Sequence, residues 1–241
     1  MGNNVPPDKT PTFYKIVWSV ALRSFVDYNR SYDQLMEEKR FLEKLRYAPE
    51  RLSQDEIKDH LLNFLNTWGC RITKSQFDHV SIKLKKFFIE YKGKFYLTED
   101  ITTFDFYSNE ISLKTMFNKL YYIDEIGPTS ISKISHILNP NLFVMWDMEI
   151  AKKLNHKHST IGYFEFLIKM QEHAKIVLKS FNEMHPHEKD LERYLNNHFR
   201  LKQKCTLAKF LDEYNWAVYT KNWKIPPEWD VSILLPREKL F

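Results

Sequence analysis

Residues 120–154 read LYYIDEIGPTSISKISHILNPNLFVMWDMEIAKKL, and the folding of this stretch decides the rest. Its first residues end a helix, the four residues 124–127 (DEIG) turn the chain, and Pro128 opens a second helix at the position where a missing N–H costs nothing. Two helices joined by so short a turn form a hairpin. At the start of the second helix the backbone N–H groups, those of Thr129 and Ser130 among them, point outward with the positive end of the helix dipole, an arrangement suited to gripping a phosphate. Such a grip reads a nucleic-acid backbone and not its sequence. Further on, Asn139-Pro140 breaks the chain, LFVMW is a buried-looking run, and Asp147 stands where an N-cap would open a third helix.

Outward from the hairpin, helical signals follow one another and strand alternation is absent. Ser53-Gln54-Asp55-Glu56 has the form of a capping box, followed by Ile57, Leu61, Leu62 and Leu65 at helical spacing until Gly69. Thr73-Lys74-Ser75-Gln76 repeats the device before Phe77, Val80, Leu84, Phe87, Phe88 and Tyr91, and Gly93 closes that helix. Segment 94–108 is the least regular and its KFYL allows a short extended piece. A further helix carries Ile111, Met116, Phe117, Leu120 and Tyr121. Past residue 160, Tyr163, Phe164, Phe166, Leu167 and Met170 mark a helix that breaks at His185-Pro186-His187, and two amphipathic stretches follow, ending near Trp223. The expectation is an all-α chain of about ten helices: a disordered start (1–12), a helical domain (13–225) and an irregular tail (226–241).

Composition bounds the function. A length of 241 residues supports a core without staples. Cys70 and Cys205 are too few for a disulfide framework or a four-cysteine metal site. No stretch approaches the ~18 apolar residues of a membrane span, and with so few cysteines the expectation is a cytoplasmic monomer with no membrane contact. The formal charge of +5 suits a polyanionic partner without requiring one, and 15% aromatic residues beside 5 Gly suit a helical protein with a ring-rich interior or pocket.

With hairpin, proline loop and aspartate in this order, residues 120–154 resemble the HhH-GPD superfamily of base-excision DNA glycosylases. In that family a hairpin reading roughly hydrophobic-x-Gly-x-Gly opens a helix, a proline-containing loop follows, and an aspartate stands at the mouth of the base pocket. Here Ile126-Gly127 supply the hairpin, Asn139-Pro140 the loop, and Asp147 the aspartate. The element spans about 111–138, with the loop at 139–147. Bifunctional members keep a lysine two residues after the second glycine. That position is Thr129 here, and 147 − 129 = 18 positions separate it from Asp147, as in the endonuclease III and adenine-glycosylase branches. The chain departs from the pattern at Glu125, where the first glycine would be, at Ile131, where a small residue is usual, and at Pro128, which removes one N–H. The iron–sulfur cluster that those branches often carry has no counterpart.

The resemblance implies a helix-hairpin-helix glycosylase-like fold whose helices form two lobes around a base-binding cleft, no cofactor, and DNA as partner. It implies a monofunctional enzyme, in repair or in defence against phage DNA with modified bases, that leaves an abasic site with Asp147 as catalytic carboxylate. Gly127, Thr129, Ser130 and Lys133 would meet DNA, and Asn66, in a turn similar to one that fills the gap of an extruded base, would join them. The chemistry is consistent: cleavage passes through an oxocarbenium-like state, which a carboxylate beside C1′ stabilises while it orients water. Trp68, Tyr121, Tyr122 and Trp146 are candidates to stack the extruded base. Other readings stay open. Asp147 could only cap a helix in a non-catalytic DNA-binding module, Trp146 and Phe143 read first as core, Lys83, Lys85 and Lys86 read as a solvated face, and Lys133 could serve a lyase. His156-x-His158 and His185-x-His187 lack a recognisable third ligand, so no metal is expected.

Overall fold

Local capping chemistry sets where the helices begin. The structure, a computed structural model, describes residues 9–24 and 29–232. Its first helices are α1 (Phe13–Ala21), α2 (Arg30–Glu37) and α3 (Lys39–Tyr47). The capping box forms: Ser53 Oγ accepts from Glu56 N at 3.0 Å, and Ser53 N donates to the Glu56 carboxylate at 2.8 Å. It opens α4 (Gln54–Glu56), which runs through a π-helical stretch (Ile57–Leu62) into α5 (Asn63–Thr67). The chain then reverses at Gly69, whose φ of +78° favours glycine. The second expected box does not form. A 3-10 turn (Lys74–Gln76) leads into α6 (Phe77–Glu90) without a side-chain cap, because Thr73 instead donates through Oγ and N to Glu125 Oε2, both at 3.2 Å.

Next come α7 (Glu110–Tyr121), α8 (Pro128–Leu138), α9 (Met148–Lys153), α10 (Thr160–Met184), α11 (Leu191–His198), α12 (Leu207–Asn215) with a π-helical extension (Trp216–Thr220), and α13 (Glu228–Ser232). The protein is all-α, with no strand among the described residues. KFYL is therefore not extended; Phe95, Ile101, Phe104 and Phe106 bury as turns, tied down by Gln171 Nε2 donating to the Ile101 and Phe104 carbonyls at 2.7 Å. Helical segments outnumber the expected ten because Glu38 separates α2 from α3 and the π stretch separates α4 from α5.

Both ends differ from expectation. Residues 1–8 lie outside the description, but 9–12 are ordered: Pro11 is buried and the Lys9 carbonyl accepts from Tyr214 Oη at 2.8 Å. The stretch after Pro226-Pro227 is helical in α13, and 233–241 lie outside the description. Ile111 and Tyr121, assigned to an apolar face, are 84% and 53% exposed because the buried face of α7 runs through Leu113, Met116, Phe117 and Leu120.

The core forms around α10, which buries Tyr163, Phe166, Leu167, Met170, Ala174 and Val177 and packs against α1, α7, α8 and α12. Burying one large apolar side chain is worth roughly 1.5–3 kcal/mol. The hairpin helix α8 lies inside this core, with nine of its 11 residues buried. Arg46 caps its C-terminal end through two bonds to the Ile137 carbonyl, at 2.7 and 3.0 Å. His136 joins α8 to α2 at Tyr32 Oη (3.0 Å) and to the loop ahead of α9 at the Phe143 carbonyl (2.6 Å). Burial holds that imidazole down near 3, hence neutral. Among the described residues no helix is long and apolar enough to cross a membrane.

Candidate active site

Within the hairpin turn Glu125 has φ +69°, so a glutamate adopts the left-handed backbone that glycine would favour, at a cost of about 1–2 kcal/mol. Gly127 is the N-cap of α8 and supplies no side chain to its first turn, which leaves the starting N–H groups without a side-chain cap. The loop 139–147 is then stitched back onto this helix start. Ser132 Oγ donates to the Thr129 carbonyl at 2.9 Å and accepts from Trp146 N at 3.2 Å, and the Trp146 indole N–H donates to the Pro128 carbonyl at 3.2 Å. Asp147, the next residue, is thereby held beside the hairpin.

The Asp147 carboxylate is anchored at both oxygens. Oδ1 accepts from Ile150 N at 2.8 Å as the N-cap of α9, and Oδ2 accepts from Thr220 Oγ at 2.7 Å. Each oxygen keeps lone-pair capacity for water or substrate. Thr129 Oγ lies 3.0 Å from His158 Nε2. Partial burial lowers the His158 imidazole below its usual range, against the pull of Asp147, so near neutral pH the ring is uncharged.

These groups line one cleft of about 1040 Å³, which reaches the upper end of the ~300–1,000 Å³ of sites that enclose small molecules. Its walls bring together Gly127, Thr129, Ser130 and Lys133 of the hairpin side, Trp68 to Arg71 of the turn after α5, Asp147 with His158, and Lys209, Asp212 and Trp216 from α12 and its extension. The Trp68 ring lies half-buried there, with its N–H donating to Ser31 Oγ at 2.6 Å.

Five sequence-derived site residues are placed as follows. Tyr121 and Tyr122 are exposed and not part of the cleft lining. Trp146 lines the cleft at its margin but is 1% exposed and packs on Tyr163 and Phe166, which fits its reading as core. Asn66 uses its amide on the turn itself, accepting from Ile72 N at 2.6 Å and donating to the Ile72 carbonyl at 2.7 Å, so it is not presented to a partner. Lys133 is 5% exposed; its ammonium points into the cleft, bonded to the Trp68 carbonyl and 5.6 Å from the centre of the Trp68 ring.

Sequence reasoning missed His158, Thr220 and the charged set on α12. Lys209 is fully buried, 2.6 Å from Asp212 Oδ2 and 3.4 Å from Glu213 Oε1, and Arg23 holds Glu213 in a forked pair. Burial alone would raise the Glu213 carboxyl, but Arg23 and Lys209 hold it below the usual range. The signal was a lysine followed at three and four residues by Asp-Glu inside the apolar run LAKFLDEYNWAV. Among the described residues no group of three or more His, Cys, Asp or Glu is placed to hold a metal ion. Comparison of the chain with protein-family profiles, with curated proteins and with solved structures found no match.

Proposed function

We propose that the chain is a monofunctional DNA glycosylase of helix-hairpin-helix type, whose two lobes meet at the cleft. The observation that carries the reading is Asp147: a carboxylate fixed at both oxygens on the wall of a large cleft, beside a helix start with uncapped N–H groups. In this reading the hairpin holds the DNA backbone, the target nucleotide swings into the cleft, and its base stacks on Trp68. Extrusion costs a few kcal/mol, which stacking and edge contacts offset. The glycosidic bond breaks toward the base as positive charge develops on the sugar. Asp147 stabilises that charge and orients the water that attacks C1′, while the water's proton leaves through the carboxylate.

A second reading is favoured by Lys133, an amine inside the cleft one turn beyond Thr129. A lysine there could attack C1′ and displace the base, making the enzyme a lyase. Incubation with DNA of varied base content decides between them. Strand breaks only after alkali mark the hydrolase, and borohydride then traps nothing. Breaks without alkali, with a trapped complex that Lys133→Gln abolishes, mark the lyase. Binding without breaks of either kind marks a non-catalytic DNA-binding module and overturns the glycosylase reading. Mass spectrometry of the released base, from genomic and from phage DNA, separates repair from defence.

A further inference from the structure

The inner wall of the cleft holds a carboxylate that base release does not use. Asp212 sits on α12, a helix buried on every face, with its side chain 8% exposed. Its Oδ2 receives the Lys209 ammonium at 2.6 Å, whereas among the described residues no donor bonds Oδ1, and the residue lines the cleft. The same ammonium lies 4.9 Å from the centre of the Trp68 ring, and Trp68 and Asp212 line the same cleft. The unbonded Oδ1 is not buried away from solvent, so it is open to the cleft, where a donor on a ligand can reach it. Burial, with the neighbouring Glu213 carboxylate, raises the Asp212 carboxyl above its usual range, while Lys209 and Lys133 oppose that shift.

On the glycosylase reading, we propose that Asp212 is the specificity-determining residue, accepting at Oδ1 a hydrogen bond from an exocyclic amino group of the extruded base. The substrates are then amino-bearing bases, of cytosine or adenine type and their altered forms. A carboxylate offers acceptors only. A uracil- or hypoxanthine-type base sets a carbonyl oxygen against it where the amino-bearing base sets a donor. An amide at the same place offers an N–H and removes that repulsion.

The test uses duplexes with one 2′-fluorinated nucleotide, cytosine, adenine, uracil or hypoxanthine, opposite an abasic analogue. Fluorine slows glycosidic cleavage so that binding is read alone, and the missing partner base removes pairing energy from the comparison. The wild-type protein is expected to bind the amino-bearing base of each pair about tenfold tighter than its carbonyl counterpart, as a bond to a charged acceptor implies. Asp212→Asn is expected to close or invert that gap. Equal affinities, a wild-type preference for the carbonyl bases, or an unchanged preference in Asp212→Asn would overturn the assignment. The wild-type ranking decides alone if the variant does not fold. A wild-type protein with the amino preference that releases no base from DNA carrying either ordinary or altered amino-bearing bases would overturn the glycosylase reading and leave Asp212 as a binding residue.

Discussion

Asp147 caps α9 and, in the proposed mechanism, serves catalysis as well, and one substitution can separate the two. Its Oδ1 caps α9 and its Oδ2 takes the Thr220 hydroxyl, so the side chain is oriented before any substrate arrives. In Asp147→Asn the amide oxygen can still accept from Ile150 N, and the Thr220 hydroxyl can rotate to accept from the amide N–H. Asn caps a helix about as well as Asp. The variant therefore keeps shape and loses charge. Single-turnover release of base is expected to fall at least ~100-fold, the scale of a positioned charge facing a developing cation, with DNA affinity and the urea midpoint near wild type. Full activity in that variant would sink the catalytic assignment. Thr129 bears on the alternative chemistry at the same scale: its hydroxyl faces His158 within the cleft, and Thr129→Lys is expected to yield a borohydride-trapped complex that the wild type does not form.

At the scale of elements, the hairpin is a backbone device. Gly127 has φ −89°, and a Cβ added there would meet nothing within 4 Å. Gly127→Val should then fold at a cost of about 1 kcal/mol, because Val is a poorer N-cap than Gly, while its branched side chain stands in front of the helix start. Affinity is expected to fall for all DNA sequences alike, and the weakening of wild-type binding with salt to be modest, as for a few neutralised phosphates. A changed base preference with intact affinity, read by filter binding across several sequences, would mean that the hairpin is not a backbone grip. The hairpin was legible because proline, glycine and a short turn are local signals, and so was Asp147 as a cap. The inner wall was not. Lys209 and Asp212 approach Trp68 only through the folding of α12 against the turn after α5, and residues so far apart in the chain leave no spacing to read. Tyr121 and Tyr122 lie exposed and outside the cleft lining because apolar periodicity does not say which edge of α7 and its C-terminal end the rest of the chain will cover.

For the whole molecule, buried histidines tie stability to pH. His136 links α2, α8 and the loop before α9, and His173 on α10 has neither ring nitrogen hydrogen-bonded. Burial holds both near 3, far below the 6.5 of the unfolded chain. Above pH 6.5 both are neutral in either state and contribute no pH dependence. As pH falls from there toward 3, the unfolded chain takes up protons that the folded protein refuses, so stability is progressively lost. Glu192 acts oppositely: burial raises it to about 7, so from pH 7 down to its unfolded value it binds its proton more readily in the folded state and gains stability. Two histidines against one carboxyl leave acid net destabilising over the window where all three titrate. The contribution of a single site can be isolated with His173→Leu, which replaces an unsatisfied buried ring by an apolar side chain. Between pH 6 and 4 the variant should lose stability less steeply than wild type by about 1.4 kcal/mol per pH unit, the value of one proton. Urea unfolding at half-unit steps of pH measures the two slopes, and identical slopes would show that His173 is already protonated in the folded state or never protonates in the unfolded one.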